Sequence, residues 1–444
     1  MPSNLKLTER PDSWKMHLAM NDLVEIFGKL IGNQVDHNPR RAMSLLQAGF
    51  KAYRMKAAYF PDRKLPESSK FAAKASMNLM LDALENPQEA VLVNLFFPCE
   101  FLFVLGLKPI FIEGLAGFVN GARAENSFIH ASHLLDIPKS FCSYHKIALG
   151  MIGSGVLKKN KLILNTTMAC DANHMTFKMI EQQWQIPRFV LDLTGPDSPG
   201  ALEMVETQLR QLAAFLEQET EQKIDEQQLQ EIIRRENNIN RYYRKTLALL
   251  KERRFLNTLG DEMFRLFFSH VYKGTPESEL YFKKLYHDVL KSPAAPPDTK
   301  RLFWVHSNPF WQESINLLLN HHPDIQLICS DLNIDMLDDL DEDNPYRGIA
   351  QRLLNNKAAH GIRRRIDYAL QMALLLDCHG VIYFNHWGCK ITMGGSALAK
   401  KIFEENGLAT LILDGDGIDR DNINDGQMRT KCQAFLEMIR RSRR

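Results

Sequence analysis

A chain of 444 residues, 45% hydrophobic and 24% charged, is longer than one core usually fills, so two or three soluble domains are expected. Lys plus Arg number 55 against 53 Asp plus Glu, and the net charge of +2 gives no basic footprint for nucleic acid. No uncharged run reaches the roughly 18 residues of a membrane span, and the opening MPSNLKLTERPDSW lacks the apolar core of a signal peptide, so a cytoplasmic protein is expected.

Residues 1–88 read as a helical N-terminal region of mixed charge. Asn38-Pro39 marks a helix start by its cap and its proline, and Pro61-Asp62 and Pro66-Glu67 interrupt the pattern. The pattern changes over residues 89–197. Pro109–Ile112, Lys161–Asn165 and Arg188–Asp192 are short continuous apolar runs, the last closed by Gly195-Pro196, with helical stretches between them. Such runs predict parallel strands covered on both faces. Residues 198–298 read as a helical insert and linker: Leu202, Val205, Leu209 and Leu212 recur at helical spacing, and the stretch ends in Ser292-Pro293-Ala294-Ala295-Pro296-Pro297. A second set of apolar runs fills residues 299–444, at Leu302–His306, Ile325–Cys329, Gly380–Phe384 and Ala409–Leu413, before a last helix from about Asn424 to Ile439. The expected fold is α/β, with two doubly wound parallel-sheet domains and helical N-terminal and middle segments. The basic tail Arg440-Arg441-Ser442-Arg443-Arg444 reads as a frayed terminus.

Seven cysteines, an odd number, argue against a disulfide framework and for reduced thiols. Three of them stand out. Cys170 and Cys389 each follow an apolar run and open a helix, where free N–H groups and the helix dipole favour a thiolate or an anionic cluster. In open α/β sheets ligands collect at the carboxyl ends of strands, so these thiols and Cys142 can meet in one crevice despite their distance in sequence. Three converging thiolates suit an iron–sulfur cluster with one open coordination position. No C-x-x-C spacing supports this, and a buried free cysteine is commonly a small hydrophobe. Cys329 leads into an acidic loop, Cys378 precedes a strand, Cys432 lies inside the last helix, and Cys99 stands between Pro98 and Glu100.

In this order the motifs resemble the D-component of 2-hydroxyglutaryl-CoA dehydratase, within the wider 2-hydroxyacyl-CoA dehydratase and benzoyl-CoA reductase family. The likeness runs from Pro98-Cys99-Glu100-Phe101 and Gly106-Leu107-Lys108-Pro109 through Thr166-Thr167-Met168-Ala169-Cys170-Asp171. It continues through Asn238-Ile239-Asn240-Arg241 and Cys389 to Gly426-Gln427-Met428-Arg429-Thr430-Lys431. The resemblance implies a 4Fe-4S cluster on Cys142, Cys170 and Cys389. An external ATP-dependent activator, itself an iron–sulfur protein, would deliver one electron. The substrate would be an acyl-CoA thioester that loses water through a ketyl radical, and the partner a homologous second subunit or a second copy. Glu100 is expected as a carboxylate near the substrate, or else as a carboxylate stabilised by a helix dipole. His386, three residues before Cys389, is the expected catalytic histidine; His145 and His174, one turn after Cys142 and Cys170, are further candidates or plain structural histidines.

Two departures keep other readings open. Cys99 lies inside the Pro-x-Glu motif, and some relatives use additional cysteines for a double-cubane cluster, so a benzoyl-CoA-reductase-like or double-cubane reductase is the alternative. A structural partner subunit without a cluster is the third. Met393-Gly394-Gly395-Ser396 offers either an anion site or close helix packing, and Asp414-Gly415-Asp416-Gly417 reads as a loop at the crevice.

Overall fold

The structure is a computed structural model that describes residues 12–193, 195, 198–320, 322–358 and 361–441. The first eleven residues, Pro196 of the strand-closing pair and the end of the basic tail lie outside them. Three helices lead: α1 (Asp12–Val35), α2 (Pro39–Tyr59) and α3 (Glu67–Glu85). The first α/β set is β1 (Ala90–Val93), α4 (Glu100–Val104), β2 (Lys108–Phe111), α5 (Ile112–Gly121), α6 (Glu125–His133), α7 (Ser143–Gly153), β3 (Leu162–Thr166), α8 (Asp171–Trp184) and β4 (Arg188–Leu191). A helical block follows, α9 (Ala201–Thr220), α10 (Glu226–Leu249), α11 (Leu259–Ser269) and α12 (Pro276–Lys291). The second α/β set is β5 (Lys300–Val305), α13 (Glu313–Leu319), β6 (Ile325–Ser330), α14 (Pro345–Asn355), α15 (Gly361–Leu375), β7 (Gly380–His386), α16 (Lys390–Glu405), β8 (Ala409–Gly415) and α17 (Asp425–Arg441).

Local chemistry accounts for the boundaries. Asn38 caps α2 by accepting the Arg41 N–H, with Pro39 at the first helical position. The Asp225 carboxylate caps α10 through the N–H groups of Gln227 and Gln228. Thr258 and Asp261 form a reciprocal capping box on α11.

The strands pair in the orders β2-β1-β3-β4 and β6-β5-β7-β8, all parallel. The two sheets therefore share one topology. In each the order reverses between the first and third strands, β1 and β3 or β5 and β7, and the crevice at such a reversal is where open α/β sheets bind ligands. Alternation along β5 shows both faces covered: Phe303 and Val305 join the larger core with the N-terminal and middle helices, while Leu302 and Trp304 join a smaller core with α13 and α17. Glycines hold α1 close to the first sheet's helices. A Cβ on Gly28 would stand 2.1 Å from the Arg123 carbonyl oxygen, and one on Gly32 would stand 2.3 Å from Ser127 Oγ of α6. Among the described residues no helix is long and apolar enough to cross a membrane.

Candidate functional site

Cys142, Cys170 and Cys389 occupy the same kind of position. Each occupies the residue just before the first turn of a helix: α7, α8 and α16 in turn. Cys170 and Cys389 come after the third strand of their respective sheets, so they are topological counterparts. All three line one cavity of about 780 Å³, the volume of a small-molecule site. The positive ends of three helix dipoles and their free N–H groups face this place, which favours negative charge on the sulfurs.

No strand delivers Cys142; packing against the second sheet does. Gly388, with φ of +90°, lies so close that a Cβ there would stand 2.8 Å from the Cys142 Cα. Cys142 Sγ is 3.5 Å from His386 Nε2. His386 Nδ1 accepts the Gly417 N–H at 3.0 Å, so the ring proton sits on Nε2 and is donated to the sulfur. Asp416 braces the same junction. Its carboxylate accepts the Ser143 hydroxyl at 2.6 Å and the N–H groups of Ile418 and Asp419 at 3.0 Å.

Burial pushes the Cys142 thiol well above the usual range, and negative charge on Cys170, Cys389 and Asp416 pushes it further. Cys170 is pushed up to about 12 by burial and then by Cys389, with the N–H groups of Asn173 and Ala172 pulling the other way. Three cysteine sulfurs lining one cavity are a donor set for a cation, and soft thiolates suit iron. Among the described residues no three His, Cys, Asp or Glu side chains are grouped to hold a single metal ion. A multi-iron core takes thiolate donors spread more widely than one ion does, and three cysteines lining one cavity are the donor type it uses.

Other groups in the cavity were not evident from the sequence. Glu113, in the first turn of α5 and just past β2, lines it. Its Oε1 accepts the Leu95 N–H at 3.4 Å, while the buried Oε2 has no hydrogen-bond partner among the described residues. Burial raises its carboxyl to about 7. His145 also lines the cavity, lowered to about 3 by burial and His386, with Nδ1 unpartnered among the described residues. His306, just past β5 at φ +82°, is fixed by its N–H to Asp331 Oδ1 at 2.7 Å, and Arg365 clamps that same carboxylate at 2.6 and 3.1 Å.

The family model for the D-component of 2-hydroxyglutaryl-CoA dehydratase matches residues 94–439. The chain belongs to that family. It is a 2-hydroxyacyl-CoA dehydratase-like subunit, and α1–α3 and β1 precede the matched stretch. No curated protein matches the chain at the level of significance applied.

Within this dehydratase-family chain, Glu100 is not among the residues that line the cavity. It opens α4 and is buried, with Arg352 of α14 at 2.5 Å; Arg352 also pairs with Glu236 of α10. Burial opposes its charge, but the Arg352 guanidinium and a hydrogen bond with Glu236 together hold the Glu100 carboxyl below the usual range. His174 is exposed on α8. Cys99 gives its thiol hydrogen to the Phe97 carbonyl at 3.5 Å, and Cys329, buried near Cys378 and Glu262, is likewise outside the cavity lining. Gly395 lies inside α16, where a Cβ would strike Ile362, so close helix packing is its role. The Asp414–Gly417 stretch is outside the cavity lining, but Asp416 and Gly417 contact Ser143 and His386 beside it.

Proposed function

We propose that this chain is the iron–sulfur subunit of a 2-hydroxyacyl-CoA dehydratase-like lyase, with Cys142, Cys170 and Cys389 holding a 4Fe-4S cluster. The electron donor is an ATP-hydrolysing iron–sulfur activator, and the partner is a homologous subunit or a second copy. The observation that carries this reading is the presence of three cysteines at helix N-termini, from both α/β sets, in one cavity. When bound, such a cluster supplies single electrons at low potential, the chemistry that makes a ketyl radical from a thioester carbonyl and lets a neighbouring hydroxyl leave.

The side chains supply the rest. His386 Nε2 gives a hydrogen bond to Cys142 and fixes that ligand's orientation. Glu113 Oε2 is free to hold or take a proton, and a carboxyl near 7 is matched to proton transfer at neutral pH. In this reading Glu113 takes the role for which the sequence pointed to Glu100. Apolar walls exclude water from the reacting atoms.

Iron and sulfide are to be counted after purification and reconstitution without oxygen. About four irons per chain, lost in Cys142→Ser, Cys170→Ser or Cys389→Ser and kept in Cys329→Ser, supports the single cluster. About eight irons turns the reading to the double-cubane reductase. No iron in any preparation leaves the structural partner subunit.

A further inference from the structure

The cavity has two ends of different chemistry. Glu113, Cys170, His386 and Cys389 stand at the ends of strands, and Cys142 and His145 join them from the start of α7. Beyond them the lining is hydrocarbon: Phe27 of α1, Phe50 of α2, Met77 of α3, Phe118 of α5 and Phe264 and Phe267 of α11. Tyr53 and Lys56 are polar lining residues of α2 that are exposed to solvent, at the rim. Helix α5 runs the length of this trough. Glu113 lies at its start, and Gly114, Gly117 and Gly121 follow at three- and four-residue spacing on one face, all in the lining. At Gly117 and Gly121 no described atom lies within 4 Å of where a Cβ would be, so the missing side chains leave open space. The eight residue steps from Glu113 to Gly121 advance about 12 Å at 1.5 Å each. An extended hydrocarbon gains about 1.3 Å per carbon from bonds of about 1.5 Å, which makes the trough roughly nine carbons long.

The outer wall comes from helices that precede the matched family stretch. Phe27 and Phe50 belong to α1 and α2, which are pressed together where a Cβ on Gly49 would meet the Phe27 ring at 2.6 Å. Close packing at Gly28 and Gly32 fixes α1 to the end of α5 and to α6. A pantetheine arm carries two amides, and burying them against phenylalanine and methionine leaves their hydrogen bonds unmade at a cost of several kcal/mol. A hydrocarbon has no such cost. At the inner end the unpartnered Glu113 Oε2 and the buried His145 Nδ1 offer a polar terminus for whatever the tail carries.

We infer that the cavity takes an unbranched hydrocarbon acyl chain along the glycine face of α5, its reacting end at the thiols, and that α1–α3 make this chain selective for such a tail. The inference rests on the thioester reading of the site for the identity of the head group, but the trough itself is testable without it.

The test measures binding, by calorimetry on the full chain, of n-alkanoic acids from four to fourteen carbons and of the matching 2-hydroxyacyl-CoA thioesters. Affinity should rise about fourfold per added methylene, then level off near nine carbons. In Gly121→Leu the levelling should come slightly earlier, and in Gly117→Leu, about 6 Å from Glu113, near five carbons. A leucine for glycine inside a helix with room around it favours folding, and circular dichroism verifies that both variants fold. Thioesters that bind with no dependence on tail length overturn the trough and leave the dehydratase reading standing. So does an unchanged length limit in Gly117→Leu. Alkanoic acids that show both limits support the trough even where no thioester binds, and that failure then falls on the dehydratase reading alone.

Discussion

Gly388 and Cys142 touch backbone to backbone: a Cβ on Gly388 would stand 2.8 Å from the Cys142 Cα and 3.0 Å from its nitrogen. This contact joins the loop after β7 to the start of α7, and so sets Cys389 beside Cys142 across the two sheets. Only glycine adopts φ of +90° there at no cost and with no side chain. Gly388→Ala should therefore lose about 1–3 kcal/mol from backbone strain alone, and its iron content should fall below that of the unaltered protein. Thermal unfolding and an iron assay test this; a variant with normal melting temperature and normal iron would show that the contact does not set the sulfur spacing.

The hydrogen bond from His386 Nε2 to Cys142 has an electronic consequence. Donors to cluster sulfurs favour the reduced, more negative state and so raise the reduction potential. His386→Phe keeps the ring that stacks on Phe384 at 6.4 Å and 16° but removes the proton. The variant's midpoint potential should become more negative, read by redox titration followed by electron paramagnetic resonance. Stability should also drop by about 1–3 kcal/mol, because the Gly417 N–H loses its acceptor. An unmoved potential would remove the sulfur as the partner that matters.

Much of this site was legible because parallel strands announce themselves as continuous apolar runs. Seven strands, and the places of Cys170 and Cys389 just past two of them, follow from that. β1 was missed because Ala90-Val91-Leu92-Val93 runs through Asn94 into Leu95-Phe96-Phe97, with no glycine or proline to mark its end. The neighbourhood of Cys142 is tertiary. No strand precedes it, and α7 is buried from Ser143 to Ile152, so its sequence carries no amphipathic stripe to show which side faces the cavity. Glu113 is the first charged residue after β2, so the rule that located the cysteines also covers it. It sits in a short apolar helix that drew no attention. The burial of Glu100 was not legible because its partners, Arg352 and Glu236, are on helices remote in sequence.

Glu100, Arg352 and Glu236 form a buried charge network. Burial, opposed by Arg352 and reinforced by Glu100, raises Glu236 to about 8. Arg352→Met strands two carboxylates in the core and should cost about 3–5 kcal/mol. Glu100→Gln leaves Arg352 paired with Glu236 and should lower the melting temperature without changing KM or kcat per folded molecule. A kcat loss in Glu100→Gln at unaltered stability would return Glu100 to the reacting centre.

Glu113 makes the opposite prediction. Its carboxyl ionises near 7 in the folded chain, because burial disfavours the charged form, and near its ordinary value once unfolded. Between about pH 4.5 and 7 the unfolded chain has released a proton that the folded chain still holds, so this group makes stability fall as pH rises through that window and then level off. Glu113→Gln cannot lose a proton. Measured on iron-free protein, it should match the unaltered chain at pH 4 and exceed it at pH 8 by no more than about 3 kcal/mol. Its turnover should fall by about 10²–10⁴ if the carboxyl moves a proton in the reaction. Parallel melting curves from pH 4 to 8 for the two proteins would place the Glu113 proton elsewhere, and the carboxylate would then be no more than a wall of the cavity.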